Sequence, residues 1–307
     1  MLQSSQSGRA PTSGLESVTM KLNAGARRAW RAIGSEVYKS YAFIERNWYL
    51  TKRYWAWEIV WIAYNIINAL SVTFIAASAQ KTVPGLHFTQ AQINQFVLYL
   101  TIGTAIWSYV STVFDGVTET VTIERWEGTI EYTFMAPVSR ITHLVGACVF
   151  ALIHGFVLTV IQLLVISLFF HLDLSRADWF AALVIMVIGS ISLIGLGAIA
   201  AVLPMLFTER GAQMAFIIRA ALLLVSGVYY PISVLPNWMQ PFAYISPVTY
   251  LLDGLRMSIQ SGSNVIQLWH DIWPLLLCGV VCVPLGMFIF GVAERYAKRT
   301  GKLKRNG

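Results

Sequence analysis

Glu119 to Arg140 reads ETVTIERWEGTIEYTFMAPVSR, an acid-rich stretch wedged between long apolar runs. From Asp115 to Arg140 the chain carries Asp115, Glu119, Glu124, Glu127 and Glu131 against only Arg125 and Arg140. A helical reading places Glu124, Glu127 and Glu131 at i, i+3 and i+7, on one face. Gly116 before the stretch and Pro137 near its end bound it as a discrete short helix. Two readings follow. One is a solvated helix repelled by an anionic membrane surface. The other is an acidic face offered to a second protein.

The surroundings define a membrane protein. Mean hydropathy is +0.61 and 12% of residues are charged, against about 25% in soluble domains. A bilayer crossing takes about 20 apolar residues. Six runs qualify: Trp55 to Ala79, Gln95 to Asp115, Ile141 to Phe170, Trp179 to Leu203, Ala212 to Tyr230, and Asp271 to Ala293. The expected fold is therefore all-α and polytopic, with six transmembrane helices over residues 55–293. The fifth run is the weakest, because it holds Arg219 and ends at Tyr229-Tyr230-Pro231.

The net charge of +7 does not mark a nucleic-acid binder, because the basic residues sit in flanks of apolar spans. Nine of the 22 Lys and Arg precede the first span, six lie in the tail at 294–307, and Arg125, Arg140 and Arg210 lie in loops on the same side. The opposite side holds Lys81, Arg176 and Arg256. Both termini and the acidic stretch are thus expected in the cytoplasm. Residues 1–20 are polar, lack the pattern of a signal peptide, and are expected to be disordered. Residues 21–54 form an amphipathic interfacial helix: Trp30, Ile33, Val37, Tyr41, Ile44 and Trp48 recur at helical spacing among Lys and Arg.

Between the fifth and sixth runs, residues 227–262 contain Pro231, Pro236, Pro241 and Pro247 among aromatics. Prolines at this density break a spanning helix, yet the segment is too apolar for a free loop. Short re-entrant helices on the outer face fit both facts.

Chemistry-bearing motifs are missing. There is no phosphate-binding G-x-x-x-x-G-K-[ST], no H-E-x-x-H and no G-x-S-x-G. His87, His143, His154, His171 and His270 are scattered, and Cys148, Cys278 and Cys282 lie in apolar runs. No catalytic or metal site is assigned. Thr101, Thr104, Ser108 and Ser111 step by 3, 4 and 3 along the second span, as packing contacts or as the lining of a solute path. The bundle shows no coupling acid, which argues against a proton-driven pump. Arg219 is read as snorkelling to the cytoplasmic interface.

Glu124-Arg-Trp-Glu127-Gly128-Thr-Ile-Glu131, followed by Ala136-Pro137-Val138-Ser139-Arg140, resembles the cytoplasmic coupling segment of ABC type-2 exporter permeases. Tyr229-Tyr230-Pro231, Leu235-Pro236-x-Trp238, Ser246-Pro247-x-Thr249-Tyr250 and Arg256 are similar to the outer re-entrant region of that family. The resemblance runs from Lys21 to the tail. It implies a permease paired with a second copy or a homologous permease in a bacterial or archaeal plasma membrane, over two ATP-binding subunits. ATP and Mg would belong to those subunits, with no cofactor on this chain and no catalysis by it. Glu124, Arg125, Glu127, Gly128, Glu131, Pro137 and Arg140 would serve coupling at 116–140. Tyr229, Tyr230, Pro231 and Trp238 would form an outer gate, with Thr101, Thr104 and Ser108 deeper in the path. The aromatic outer segment suits an amphipathic drug-like or lipid-like cargo moved outward. The alternatives are a lipid-linked glycan cargo and, further off, a non-ABC transporter.

Overall fold

A computed structural model describes residues 34–82, 89–135, 138–170, 174–207 and 210–301. Residues 1–33, Pro137 and the tail from 302 lie outside the described residues, and with them the expectations for 1–20, Trp30 and Ile33. Regular structure among the described residues is helical, with no strand. Residues 34–53 form α1. Then come α2 (Trp55–Thr82), α3 (Gln90–Trp126), α4 (Ile130–Met135), α5 (Arg140–Phe170), α6 (Trp179–Ala200) and α7 (Val202–Leu206). The chain continues through α8 (Gly211–Val225), one 3₁₀ turn (Ile232–Val234), α9 (Gln240–Ile245), α10 (Pro247–Gln260) and α11 (Trp269–Arg299).

Among the described residues, five stretches are long and apolar enough to cross a membrane: Trp55–Ile75, Gln92–Trp126, Thr142–Phe170, Trp179–Leu206 and Trp269–Arg299. The fifth run expected from sequence, Ala212 to Tyr230, is helical only to Val225. Its 15 residues rise about 22 Å, short of the roughly 30 Å hydrocarbon core. Gly227, at φ +70°, turns the chain where an L side chain would be strained.

Local chemistry sets the starts. Thr89 opens α3 with a capping box: its hydroxyl accepts from Gln92 N at 3.4 Å and the Gln92 side chain accepts from Thr89 N at 2.9 Å. Asp178 caps α6 by accepting from Ala181 N at 2.9 Å. Without a hydrophobic drive between helices in lipid, small residues decide the packing. A Cβ on Gly286 would lie 2.5 Å from Gly195 O, so α6 and α11 meet backbone to backbone.

Two buried clusters mark the ends of the molecule. Val121, Ile130, Leu144, Met205 and Phe290 meet at the near end, where α11 finishes and α1 docks. Ile106, Ile185, Val228, Leu252 and Ile272 meet toward the far end. There α10 is core: ten of its 14 residues are buried.

Candidate functional site

The near end is built on α3, which runs unbroken through Gly116. The expected helix boundary is therefore corrected. Gly116 is not a breaker but a contact: a Cβ there would lie 2.4 Å from the Ala151 Cβ of α5. The break falls at Gly128, whose φ of +72° favours glycine. Its N–H donates to Arg125 O at 3.1 Å, and Thr129 N donates to Glu124 O at 2.9 Å, closing the end of α3.

This break also corrects the shared acidic face. Glu124 is 1% exposed and points inward. Its Oε1 accepts from Arg46 Nη1 of α1 at 2.7 Å and from His143 Nε2 of α5 at 3.1 Å. The Phe43 ring covers His143 with centroids 4.7 Å apart. Glu127 caps α3 and is exposed. Glu131 lies on the separate helix α4, and Arg140 is the first residue of α5; only their backbones are described.

Arg125, 3% exposed, reaches the other way. Its Nη1 donates to Pro204 O at 3.2 Å and to Met205 O, carbonyls at the end of α7. A guanidinium there answers the negative end of the helix dipole. Ile130, 1% exposed, plugs α4 into the near-end cluster. Among the described side chains, this tip exposes Trp126 (65%), Glu127, Tyr132 (76%) and Met135 (78%).

Docking of α1 uses its polar face. Ser40 donates to Thr142 O at 3.3 Å, and the Thr142 hydroxyl donates to Glu36. Lys39 at 2.7 Å, together with Thr142, holds the Glu36 carboxyl below its usual range. Val37, Tyr41 and Trp48 of the apolar stripe stay exposed on the opposite face.

At the far end Arg256, 6% exposed, clamps the turn after α8. Nη1 donates to Gly227 O at 3.0 Å and Nη2 to Val228 O at 2.6 Å, while the guanidinium carbon stands 3.7 Å from the Tyr99 ring centroid. Gly103 lets α3 approach: its Cβ would lie 2.3 Å from Val228 O. Tyr229 and Tyr230 are half-buried, and Tyr230 donates to Leu224 O; Pro231 and Trp238 are exposed.

The hydroxyl ladder of α3 faces inward. Thr101 is fully buried beside the Thr73 hydroxyl at 3.5 Å, and Thr104 is buried and donates to Thr101 O at 2.9 Å. Ser108, half-buried, donates to Thr104 O at 3.1 Å. Within this chain Thr101 packs against α2, and both Thr101 and Thr104 are buried rather than lining an opening.

Sequence reasoning missed the ion pairs. Asp115 and Arg219 are bonded between α3 and α8, and Glu58 meets His154 at 3.3 Å between α2 and α5. Arg219 is thus a partnered residue with Phe216 beneath it at 4.6 Å, not a free snorkelling one. Acids do occur within the spans; each was read alone because its partner comes from a distant helix. Among the described residues no group of three His, Cys, Asp or Glu has metal-binding geometry.

The family model described as ABC-2 type transporter matches residues 39–259. Two curated relatives, each named "Probable multidrug ABC transporter permease YbhR", from Escherichia coli strain K12 and from Escherichia coli O157:H7, are 26% identical over 156 residues. That alignment takes in 50% of this chain and 41% of each relative. The chain belongs to the ABC-2 type transporter family.

Proposed function

We propose that this ABC-2 type permease moves an amphipathic drug-like or lipid-like molecule outward across a bacterial or archaeal plasma membrane, driven by ATP hydrolysis in a separate subunit. In this reading the near end is cytoplasmic, α8 with the turn after it completes a sixth crossing, and α9 and α10 are re-entrant at the outer face. Residues 34–53 lie along the inner interface with Val37, Tyr41 and Trp48 in the acyl boundary. Two permeases pair above two ATP-binding subunits. The exposed apolar surface of α8, including Met214, Ile217 and Ile218, suits lipid or that second permease.

One observation carries the reading. The near-end tip exposes Trp126, Glu127, Tyr132 and Met135, while Glu124, Arg125 and Ile130 are buried in the bundle. Glu124 ties the tip to α1 and α5, Arg125 ties it to α7, and Ile130 belongs to a buried cluster that includes α11. A push on the exposed set therefore reaches every element of the near end, as packed interiors transmit strain. Glu124 and Arg125 would transmit force, and Glu127 would make contact. At the far end Tyr229, Tyr230, Pro231 and Trp238 would shape the exit. A path along Thr101 and Thr104 would require α2 and α3 to part, whereas Ser108 is already half-open. The names of the multidrug permease relatives agree with an amphipathic cargo.

The test is co-purification with the ATP-binding subunit. Truncating one partner of a buried interface charge pair costs on the order of 2–5 kcal/mol, so Glu127→Arg, which also places a like charge there, should lose the ATPase partner and transport while the permease still inserts and elutes normally. Normal assembly and transport by that variant would overturn the docking role.

A further inference from the structure

The last turns of α11 carry a pattern that neither the docking tip nor the exit uses. Val202 and Leu206 of α7 and Phe288, Ile289, Val292 and Tyr296 of α11 wall an open groove of about 340 Å³. Apart from the Tyr296 hydroxyl these walls are apolar, and Phe288, Val292 and Tyr296 are 66%, 43% and 50% exposed. Phe288, Val292, Arg295 and Arg299 step by 4, 3 and 4, so the groove and two arginines share one stripe of the helix. Both arginines are exposed. Arg295 Nε donates to Gly291 O at 3.2 Å, which leaves its two terminal nitrogens unspent. Among the described residues neither arginine pairs with a carboxylate. The neighbouring acid, Glu294, lies off this stripe and is taken by Lys298 at 2.7 Å.

The depth of this stripe follows from the aromatics of α11. Exposed Trp269 and Trp273 stand at its start and Tyr296 near its end, as aromatic belts do at the two membrane interfaces. From Trp273 to Tyr296 the helix rises about 35 Å, against a hydrocarbon core of roughly 30 Å. The groove therefore lies at acyl depth in the leaflet of the near end, and the arginines lie at the level of its head groups. An apolar groove at that depth accepts any tail. The selective element is the arginine pair: two guanidiniums one turn apart, with donors to spare, match the oxygens of a phosphate.

We infer that the groove between α7 and the end of α11 holds an acyl chain of one anionic lipid, whose phosphate head is gripped by Arg295 and Arg299. The site does not depend on the transport reading. The full chain, purified in detergent, is titrated with phosphatidylglycerol and with phosphatidylcholine of the same chain length, and binding is followed by native mass spectrometry. One phosphatidylglycerol should be retained at least about tenfold more tightly than phosphatidylcholine, as two basic residues at a head group imply. Arg295→Gln combined with Arg299→Gln should abolish that preference. Both positions are exposed and make no ion pair, so the thermal unfolding temperature without lipid should stay as it was. Val292→Trp fills the groove and keeps both arginines, and it should weaken phosphatidylglycerol binding by about tenfold or more. Equal affinity for the two lipids, or a preference that survives the double variant, overturns the site. Unchanged phosphatidylglycerol binding by Val292→Trp overturns it too, because the arginines would then be general surface anchors. A dimer that falls apart on Val292→Trp would place a second copy in the groove instead of a lipid.

Discussion

Glu124 and Arg256 are both nearly hidden, at 1% and 6% exposure, and each holds one end of the molecule together, but by different means. Glu124 is held by side chains of other helices, paired with Arg46 of α1 and hydrogen-bonded to His143 of α5. Arg256 is held by backbone carbonyls of Gly227 and Val228 and by the Tyr99 ring; its nearest carboxylate, Asp253, stands 3.9 Å away on its own helix. A side-chain pair can separate when one helix moves, with both groups rehydrating. A guanidinium on carbonyls fixes the path of the backbone itself. The near end is thus fastened by a contact that can open, as the proposed force-transmitting role would need, and the far end by one that holds a turn in shape.

The largest effect tests the near-end clamp. Glu124→Ala leaves His143 buried without its partner, and removing one member of a buried pair costs about 3–5 kcal/mol. The lower figure is expected because the Arg46 side chain is 34% exposed and can turn to water. Thermal unfolding in detergent should show this, and His143→Met combined with Glu124→Met should recover most of the loss. A double variant no better than the single one would mean that the unpaired imidazole is not what Glu124→Ala costs.

The far-end clamp should respond less. Arg256→Lys keeps the charge but loses the planar fork that reaches two carbonyls and stacks on Tyr99. A loss of about 1.5–3 kcal/mol follows from hydrogen bonds to a charged group, read as a lowered Tm. An unchanged Tm would show that the turn at Gly227 holds itself. The smallest stability effect belongs to Trp238→Ala: at 71% exposure, truncation should stay within about 0.5 kcal/mol. Transport by the reconstituted complex should nonetheless fall if Trp238 shapes the exit. A stability loss without a transport change would place Trp238 in packing instead.

Much of this architecture was legible in the residues. Four of the six expected spans coincide with long helices to within a few residues at their starts, and α3 extends well past its expected end at Asp115. The prolines of residues 227–262 gave short helices in place of a span. The acidic stretch was found, but its internal layout was misread. Gly116 looked like a boundary because a glycine in a helical pattern can mean either a break or a close approach, and only the presence of Ala151 opposite decides. Asp115 and Arg219 looked like charges without an answer because their pairing joins residues 104 positions apart.

Hydropathy, charge asymmetry and periodicity are sums over neighbouring residues, so the sequence alone determined the membrane class, the approximate spans and the family resemblance. Burial of a charge is different in kind. Whether Glu124 faces a partner subunit or the interior depends on Arg46, 78 residues before it, and on His143 at the start of another helix. Desolvating a carboxylate is tolerable only where such groups converge. The tertiary structure brings them together, and it thereby turned an expected contact residue into an internal tie while Trp126, Glu127, Tyr132 and Met135 stay exposed.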